Sequence, residues 1–408
     1  MAWALYDWGN SAFALSVLAV LFPLFLGSYW SAGDPGPAVT ARLTWATVIA
    51  SVIVSLMAPV LGAIADSGGW RKRFLAILTV LGVVSTVALS LVGLGDWYWA
   101  LALFILASIG YYGAAVFYDS LIVDVSHPRY YSLISSLGLS LGYFGGAFLL
   151  SLHVWMMYTP ASFGFAESTD VIKFAFVSVG AWWLVFLLPI LLLVREAQSP
   201  NVVRKGTVRA AYRALRSTIT KIRSYRNIYT FLAAYWLYIG GLFTVIFMAV
   251  NFGQRLGFAD QDLVIALMIT NYVGFPATLL FGFLAHRFGM QRAIIAGLVV
   301  YILIVCWAVF LEDVRQFYVM SIIIGTVQGG VQSISRSLYA SLIPKSLSGE
   351  FFGFYNMLTK FAHILGPVLI GVTLFFSDDP RFILLAILPM FVLGALILTQ
   401  VKVPEDAA

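Results

Sequence analysis

Four ionisable side chains stand in or at the edge of long uncharged stretches: Asp7, Asp119, Arg336 and Lys360. A charge at lipid depth costs a few kcal/mol, so such groups are functional candidates by default. Asp119 and Arg336 supply an acid and a base. Paired, they would hold two helices together as a gate; parted, they would release them. Protonating Asp119 would weaken the pair and couple the gate to proton flow. The same residues also fit a fixed pair within one bundle, or an arginine that snorkels to the interface. Asp7 fits a second proton site, or a charge that complements the positive end of a helix dipole.

Lys360 falls about nine residues into its stretch, roughly 14 Å deep at 1.5 Å per residue and close to the bilayer midplane. Asn356 and His363 flank it at helical spacing and extend one polar stripe. A buried ammonium needs a carboxylate, a carbonyl or an anion. Lys360 is therefore expected to attract a substrate carboxylate, or to pair with Asp119 or Asp7. Gly325, Gln328, Gly329, Gln332, Ser335 and Arg336 recur at three- and four-residue steps. The amides suit a polar lining and the glycines suit close helix packing. Asn10 is a further lining candidate. Tyr112, Tyr235 and Tyr238 would wall a solute with an apolar side chain, or are ordinary interfacial aromatics.

Positioning these groups takes a membrane. Of the residues, 61% are hydrophobic and 10% charged, against roughly 25% charged in soluble domains. Apolar runs of about 20 residues recur along the chain. The spans fall at about 7–30, 41–65, 73–95, 97–123, 130–157, 171–194, 228–252, 261–285, 291–311, 315–341, 351–376 and 381–402, roughly twelve in all. One set of loops holds Arg71, Lys72, Arg73, Arg129, Arg287, Arg292 and Lys345, while the other is acidic, with Asp34, Asp96, Glu167, Asp170 and Asp313. The basic set is expected to be cytoplasmic, with both termini on that side. Residues 195–227 separate two halves, 1–194 and 228–408. Within that linker Val208, Tyr212, Leu215, Ile219 and Ile222 are spaced as an amphipathic helix among basic residues. It reads as a helix on the anionic inner leaflet or as a solvated basic linker.

The net charge of +6 would suit nucleic acid, but its basic residues gather in loops on one side of the membrane. Cys306 is the single cysteine, so no intramolecular disulfide forms. No phosphate-binding loop, no Cys or His metal set and no Ser-His-Asp set is present. His127 and His153 receive no role. No cofactor, no metal and no enzymatic activity is expected. The expected partners are a small-molecule substrate and the lipid bilayer, with the chain acting as a monomer.

The halves repeat one another. Gly62-Ala-Ile-Ala-Asp66-Ser-Gly68-Gly-Trp-Arg71-Lys72 after the second span is matched by Gly282-Phe-Leu-Ala-His286-Arg287-Phe-Gly289 after the eighth. Asp66, Arg71 and Lys72, and His286 with Arg287, are expected to lock the halves at the cytoplasmic face. Asp119-Ser-Leu with Pro128 beyond is matched by Arg336-Ser-Leu with Pro344 beyond. Parallel repeats with a solute between them are a recurrent transporter design.

This loop, its degenerate second copy and the six-plus-six plan resemble the major facilitator superfamily. Tyr6-Asp7-Trp8-Gly9-Asn10-Ser11-Ala12-Phe13, Gly325-Thr-Val-Gln328-Gly329-Gly330-Val-Gln332-Ser-Ile-Ser335-Arg336-Ser337 and Glu350-Phe351-Phe352-Gly353-Phe354-Tyr355 with Lys360 and Gly366-Pro367 are more specific. They resemble the branch related to the autophagy-linked vacuolar amino-acid effluxer of fungi, over essentially the whole chain. The short basic tail that usually precedes the first motif is nearly absent. The resemblance implies an all-α membrane fold of two six-helix bundles, alternating access and a cavity lined mainly by spans one, four, seven and ten. For the fungal relative it implies efflux of neutral amino acids. The expectation is a secondary transporter of a small polar or zwitterionic solute in the bacterial inner membrane, proton-coupled, acting as an importer or an effluxer. A lipid or amphiphile translocator on the same fold and a non-transporting membrane sensor are the alternatives.

Overall fold

A computed structural model describes residues 1–197, 225–373 and 384–404, without the side chains of residues 247, 250, 251, 255, 260 and 363–373. The linker helix expected within 195–227, and the side chain of His363, lie outside the described residues. The described chain is helical throughout. Its elements are α1 (Ala2–Trp30), α2 (Gly36–Gly68), α3 (Arg71–Leu91), α4 (Trp97–Val125), α5 (Pro128–Tyr158) and α6 (Ser168–Leu193). After the linker come α7 (Arg226–Arg255), α8 (Asp260–Phe288), α9 (Met290–Ala308), α10 (Val314–Leu342), α11 (Ser348–Thr373) and α12 (Leu388–Leu398). Among the described residues, ten helices are long and apolar enough to cross a membrane, and α12 is a shorter apolar helix. The chain is an all-α, multi-pass membrane protein.

Local chemistry sets the ends. Gly69 closes α2 with φ 62°, donating its N–H to the carbonyl of Ala65, a left-handed position that favours glycine. Pro59, Pro189 and Pro276 sit inside helices, where neighbouring helices can satisfy the backbone groups a proline frees. The first helix begins at Ala2 rather than near residue 7, because Trp3, Ala4 and Tyr6 are buried. Phe13–Leu21 and Leu26–Trp30 are π-wound.

Packing within the first half pairs α1 with α5 and α6, α3 with α4 and α6, and α2 with α4. The second half repeats it: α7 with α11 and α12, α9 with α10 and α12, and α8 with α10. Between the halves, α2 packs on α11 and α5 on α8, while α4 meets α11 and α10 meets α5. Each of these pairings has its counterpart six helices on, so the halves are related by an approximate two-fold axis. Each half has its own aromatic core. Phe13 and Trp183 stack, and Tyr6 bonds Thr79 through its hydroxyl in the first. Tyr235, Tyr355 and Tyr339 stack in series in the second.

Candidate functional site

Near the ends of α4 and α10, Arg336 crosses from the second half into the first. Its Nη1 donates to Oδ1 of Asp119 at 3.0 Å, and Nη2 lies 3.4 Å from Oδ2 of Asp7. Nε donates to Ser135 Oγ at 2.8 Å, and Nη2 also reaches the Ser135 carbonyl at 3.0 Å. The guanidinium lies over the rings of Trp3 and Tyr118, which stack on each other. Arg336, Asp119 and Asp7 are all buried. A fork of five N–H donors suits such convergence, which a lysine would not match. Two readings of Arg336 are thereby replaced. It neither snorkels nor pairs within one bundle, because its partners all belong to the opposite half.

Asp7 is likewise no helix-end charge. It lies a full turn inside α1, where Tyr118 donates its hydroxyl to Oδ2 at 2.8 Å. Asn356 of α11 donates Nδ2 to the second oxygen of Asp119 at 3.1 Å. The cluster thus ties α1, α4, α5, α10 and α11 together. Counting two carboxylates and one guanidinium, it is electroneutral when it holds one proton.

Lys360 lies one turn beyond Asn356 on α11. It does not pair with Asp119 or Asp7, which hold Arg336 instead. Its Nζ sits 2.9 Å from the centroid of the Tyr112 ring, across the seam on α4. Gln328 donates to the Tyr143 hydroxyl of α5 at 3.0 Å, and half-buried Gln332 lies one turn nearer Arg336. Asn10 is buried, and its Oδ1 has no hydrogen-bond partner among the described residues. Tyr235 and Tyr238 point into the second half. Tyr235 bonds Thr359, and Tyr238 bonds Ser335.

At the face carrying the basic loops, Asp66 accepts from the backbone N–H groups of Gly349 and Glu350 at 2.9 and 2.8 Å. A carboxylate of one half therefore caps the helix that opens the other half's α11, where the dipole favours negative charge. Gly62 makes this approach possible: a Cβ there would collide with the Gly349 carbonyl. Arg71 bridges Asp124 at 2.8 Å and Glu196 at 3.2 Å, and donates to Ser348 Oγ. Lys72 is no cross-half lock. It donates to the carbonyls of Leu191 and Val194, at the end of α6 in its own half. In the second copy, His286 Nδ1 lies 3.1 Å from the Arg129 carbonyl and its ring stacks on Tyr130. Arg287 lies over the ring of its neighbour Phe288 and forms no ion pair among the described residues.

Serines complete the seam. Ser135 donates to the Ser333 carbonyl, Ser136 and Ser333 share a hydrogen bond at 2.9 Å, Ser337 donates to the Tyr131 carbonyl, and Ser140 donates to the Phe275 carbonyl. Sequence reasoning missed these residues, together with Asp124, Glu196 and Ser348. The stripe Ser132, Ser135, Ser136, Ser140 on α5 was the available signal, since small hydroxyl residues are common where membrane helices pack.

The family described as "vacuole effluxer Atg22 like" matches residues 37–129 and 124–407. The chain belongs to this family. An uncharacterized MFS-type transporter, YxiO of Bacillus subtilis (strain 168), is 34% identical over 100% of this chain and 95% of its own length. Autophagy-related protein 22-1 of Aspergillus niger is 24% identical over 66% of this chain, which spans only 47% of that protein. In fold, the chain is similar to the proton:xylose symporter XylE, with a TM-score of 0.75 and 14% identity over 99% of this chain and 95% of that one. The Atg22-like chain thus has the major facilitator fold, with the two-domain helix packing described above.

Proposed function

We propose that this Atg22-like chain carries a small polar or zwitterionic, amino-acid-like solute across a bacterial inner membrane, coupled to protons. Arg336 and Asp119 form the gate on the cytoplasmic side, and Asp7 and Asp119 are the proton-coupling sites. One observation carries this reading: Arg336 reaches across the seam to Asp119, Asp7 and Ser135 at once. A charge cluster that spans the seam can exist only while that side is closed. Opening must separate the guanidinium from its carboxylates, and a proton on a carboxylate lowers the cost of separation. The remaining lock is Asp66 on the α11 start, with Arg71 beside it and His286 on the opposite seam.

The wider plan in this reading is twelve spans in two six-helix bundles, 1–194 and 228–408, joined by a cytoplasmic linker, with both termini cytoplasmic and the carrier monomeric. Asn10, Tyr112, Gln328, Gln332, Asn356 and Lys360 line the solute path above the cluster, with Tyr235 and Tyr238 behind them. The amphiphile-translocator alternative needs a continuous apolar wall between α2 and α11, or between α5 and α8. Ser140 and Ser151 make polar bonds across that seam, to the Phe275 carbonyl and to Tyr272, which favours a solute held between the halves.

Counterflow of radiolabelled amino acids into proteoliposomes tests the reading. The expected result is uptake that rises with an imposed inward proton gradient and vanishes in Arg336→Ala. Solute-independent fluxes, or uptake unchanged by Arg336→Ala, would remove its basis.

A further inference from the structure

Among the described residues, Lys360 is a buried cation at lipid depth that forms no ion pair. This inference rests on the transporter reading and adds the chemistry of the solute. We propose that Lys360 receives the carboxylate of the transported molecule, so that the substrates are small carboxylic or amino acids rather than neutral sugars, amides or amines.

Lys360 is only 8% exposed. An ammonium has three N–H donors and no acceptor, and as a compact, strongly hydrated charge it is costly to bury alone. Among the described residues its charged contact is the π face of Tyr112, 2.9 Å from Nζ. A cation over an aromatic ring is attracted by the ring's negative face, which covers one side of the ammonium and leaves donors unused. No carboxylate of the described residues lies within 4.0 Å of it. The acids able to neutralise it are already taken. Asp7 receives Tyr118 and Arg336, and Asp119 receives Arg336 and Asn356. Arg336 in turn directs Nε, Nη1 and Nη2 at protein oxygens, so it does not compete for an arriving anion.

Location supports the assignment. Lys360 and Tyr112 belong to different halves, and their contact lies on the seam. Lys360 stands one turn from Asn356, which reaches the gate carboxylate. A carboxylate held by Lys360 would therefore sit a single helical turn from Asp119 and displace the ammonium from the Tyr112 ring. Solute binding and gate would share one helix face.

The test uses the purified full chain in lipid nanodiscs, with thermal unfolding followed against L-alanine and L-lactate and against their carboxamides, alaninamide and lactamide. The expected result is that at least one acid raises Tm and its amide does not. Lys360→Met should weaken that binding by about tenfold or more, roughly 1.4 kcal/mol, while Lys360→Arg retains part of it. Equal shifts for acids and amides, no shift from any acid, or an acid shift that survives Lys360→Met would each overturn the assignment. Disulfide formation between Ser136→Cys and Ser333→Cys in the Lys360→Met background reports the gate separately. If no acid binds the unsubstituted chain while its gate still opens and closes, this inference is overturned and the transporter reading stands.

Discussion

Nη1 of Arg336 stands 3.0 Å from Oδ1 of Asp119, and the two residues hold equivalent places in the two halves of the chain. Residues related by a two-fold axis touch only where that axis passes between them. The pair therefore marks the centre of the interface, and opposite charges at equivalent positions turn a structural repeat into a self-complementary contact.

Unequal costs follow on the two sides of that contact. Arg336→Ala strands two buried carboxylates and should lose about 3–5 kcal/mol. Asp119→Asn leaves Asp7 and Ser135 to hold the guanidinium and should lose less. Thermal unfolding in detergent checks the ranking. A charge exchange, Asp119→Arg with Arg336→Asp, should recover little, because the new acid would face Asp7.

Asp66 holds two backbone N–H groups at the start of α11. Hydrogen bonds to a charged group contribute about 1.5–3 kcal/mol each. Asp66→Asn should shift the carrier toward its inward-open form. In everted vesicles, labelling of Ser333→Cys by a membrane-impermeant thiol reagent should become faster by roughly tenfold or more. Unchanged labelling would show that the cap does not govern closure.

The equivalent glycines should differ in tolerance. A Cβ on Gly62 meets the carbonyl of Gly349, whereas on Gly282 it meets chiefly the side chain of Ser136. The Ser136 hydroxyl can turn aside, whereas a helix carbonyl cannot, and the Ser136 Cβ at 2.5 Å stays fixed to its own helix. Gly62→Ala should therefore cut transport more than Gly282→Ala, and Gly282→Ala combined with Ser136→Gly should regain activity that Gly282→Ala alone lacks. Initial rates in proteoliposomes decide it.

Ser136 and Ser333 lie with their hydroxyls 2.9 Å apart across the seam. Cysteines at both positions should form a disulfide on mild oxidation and arrest transport, with recovery on reduction. Oxidation that leaves transport intact would show that the seam does not part during the cycle.

The acid and base of the central pair were legible because charges are rare in lipid-depth helices and these two fall at matching positions. Asp66 was legible from its repeat, although its partner was not: it binds backbone, and backbone N–H groups leave no mark in a sequence. Asp7 misleads for a related reason. A carboxylate near a chain start fits a helix dipole, and only the tertiary approach of Arg336 and Tyr118 reveals another role. Lys72 and Arg71 are neighbours in one basic run, yet one crosses the seam to Ser348 and the other closes its own half's α6. Pattern alone does not separate them, since helix rotation decides which way each points.

Ser337 donates both to the Tyr131 carbonyl across the seam and to the Ser333 carbonyl on its own helix, at 2.9 and 2.8 Å. Ser333 similarly reaches the Gly330 carbonyl of its own helix. When the halves separate, these hydroxyls fall back on acceptors they already touch. Neither of these two hydroxyls is orphaned in a dry environment, where it would cost about 1–3 kcal/mol. Such a surface can detach and reattach through many turnovers without depending on water to solvate it in between.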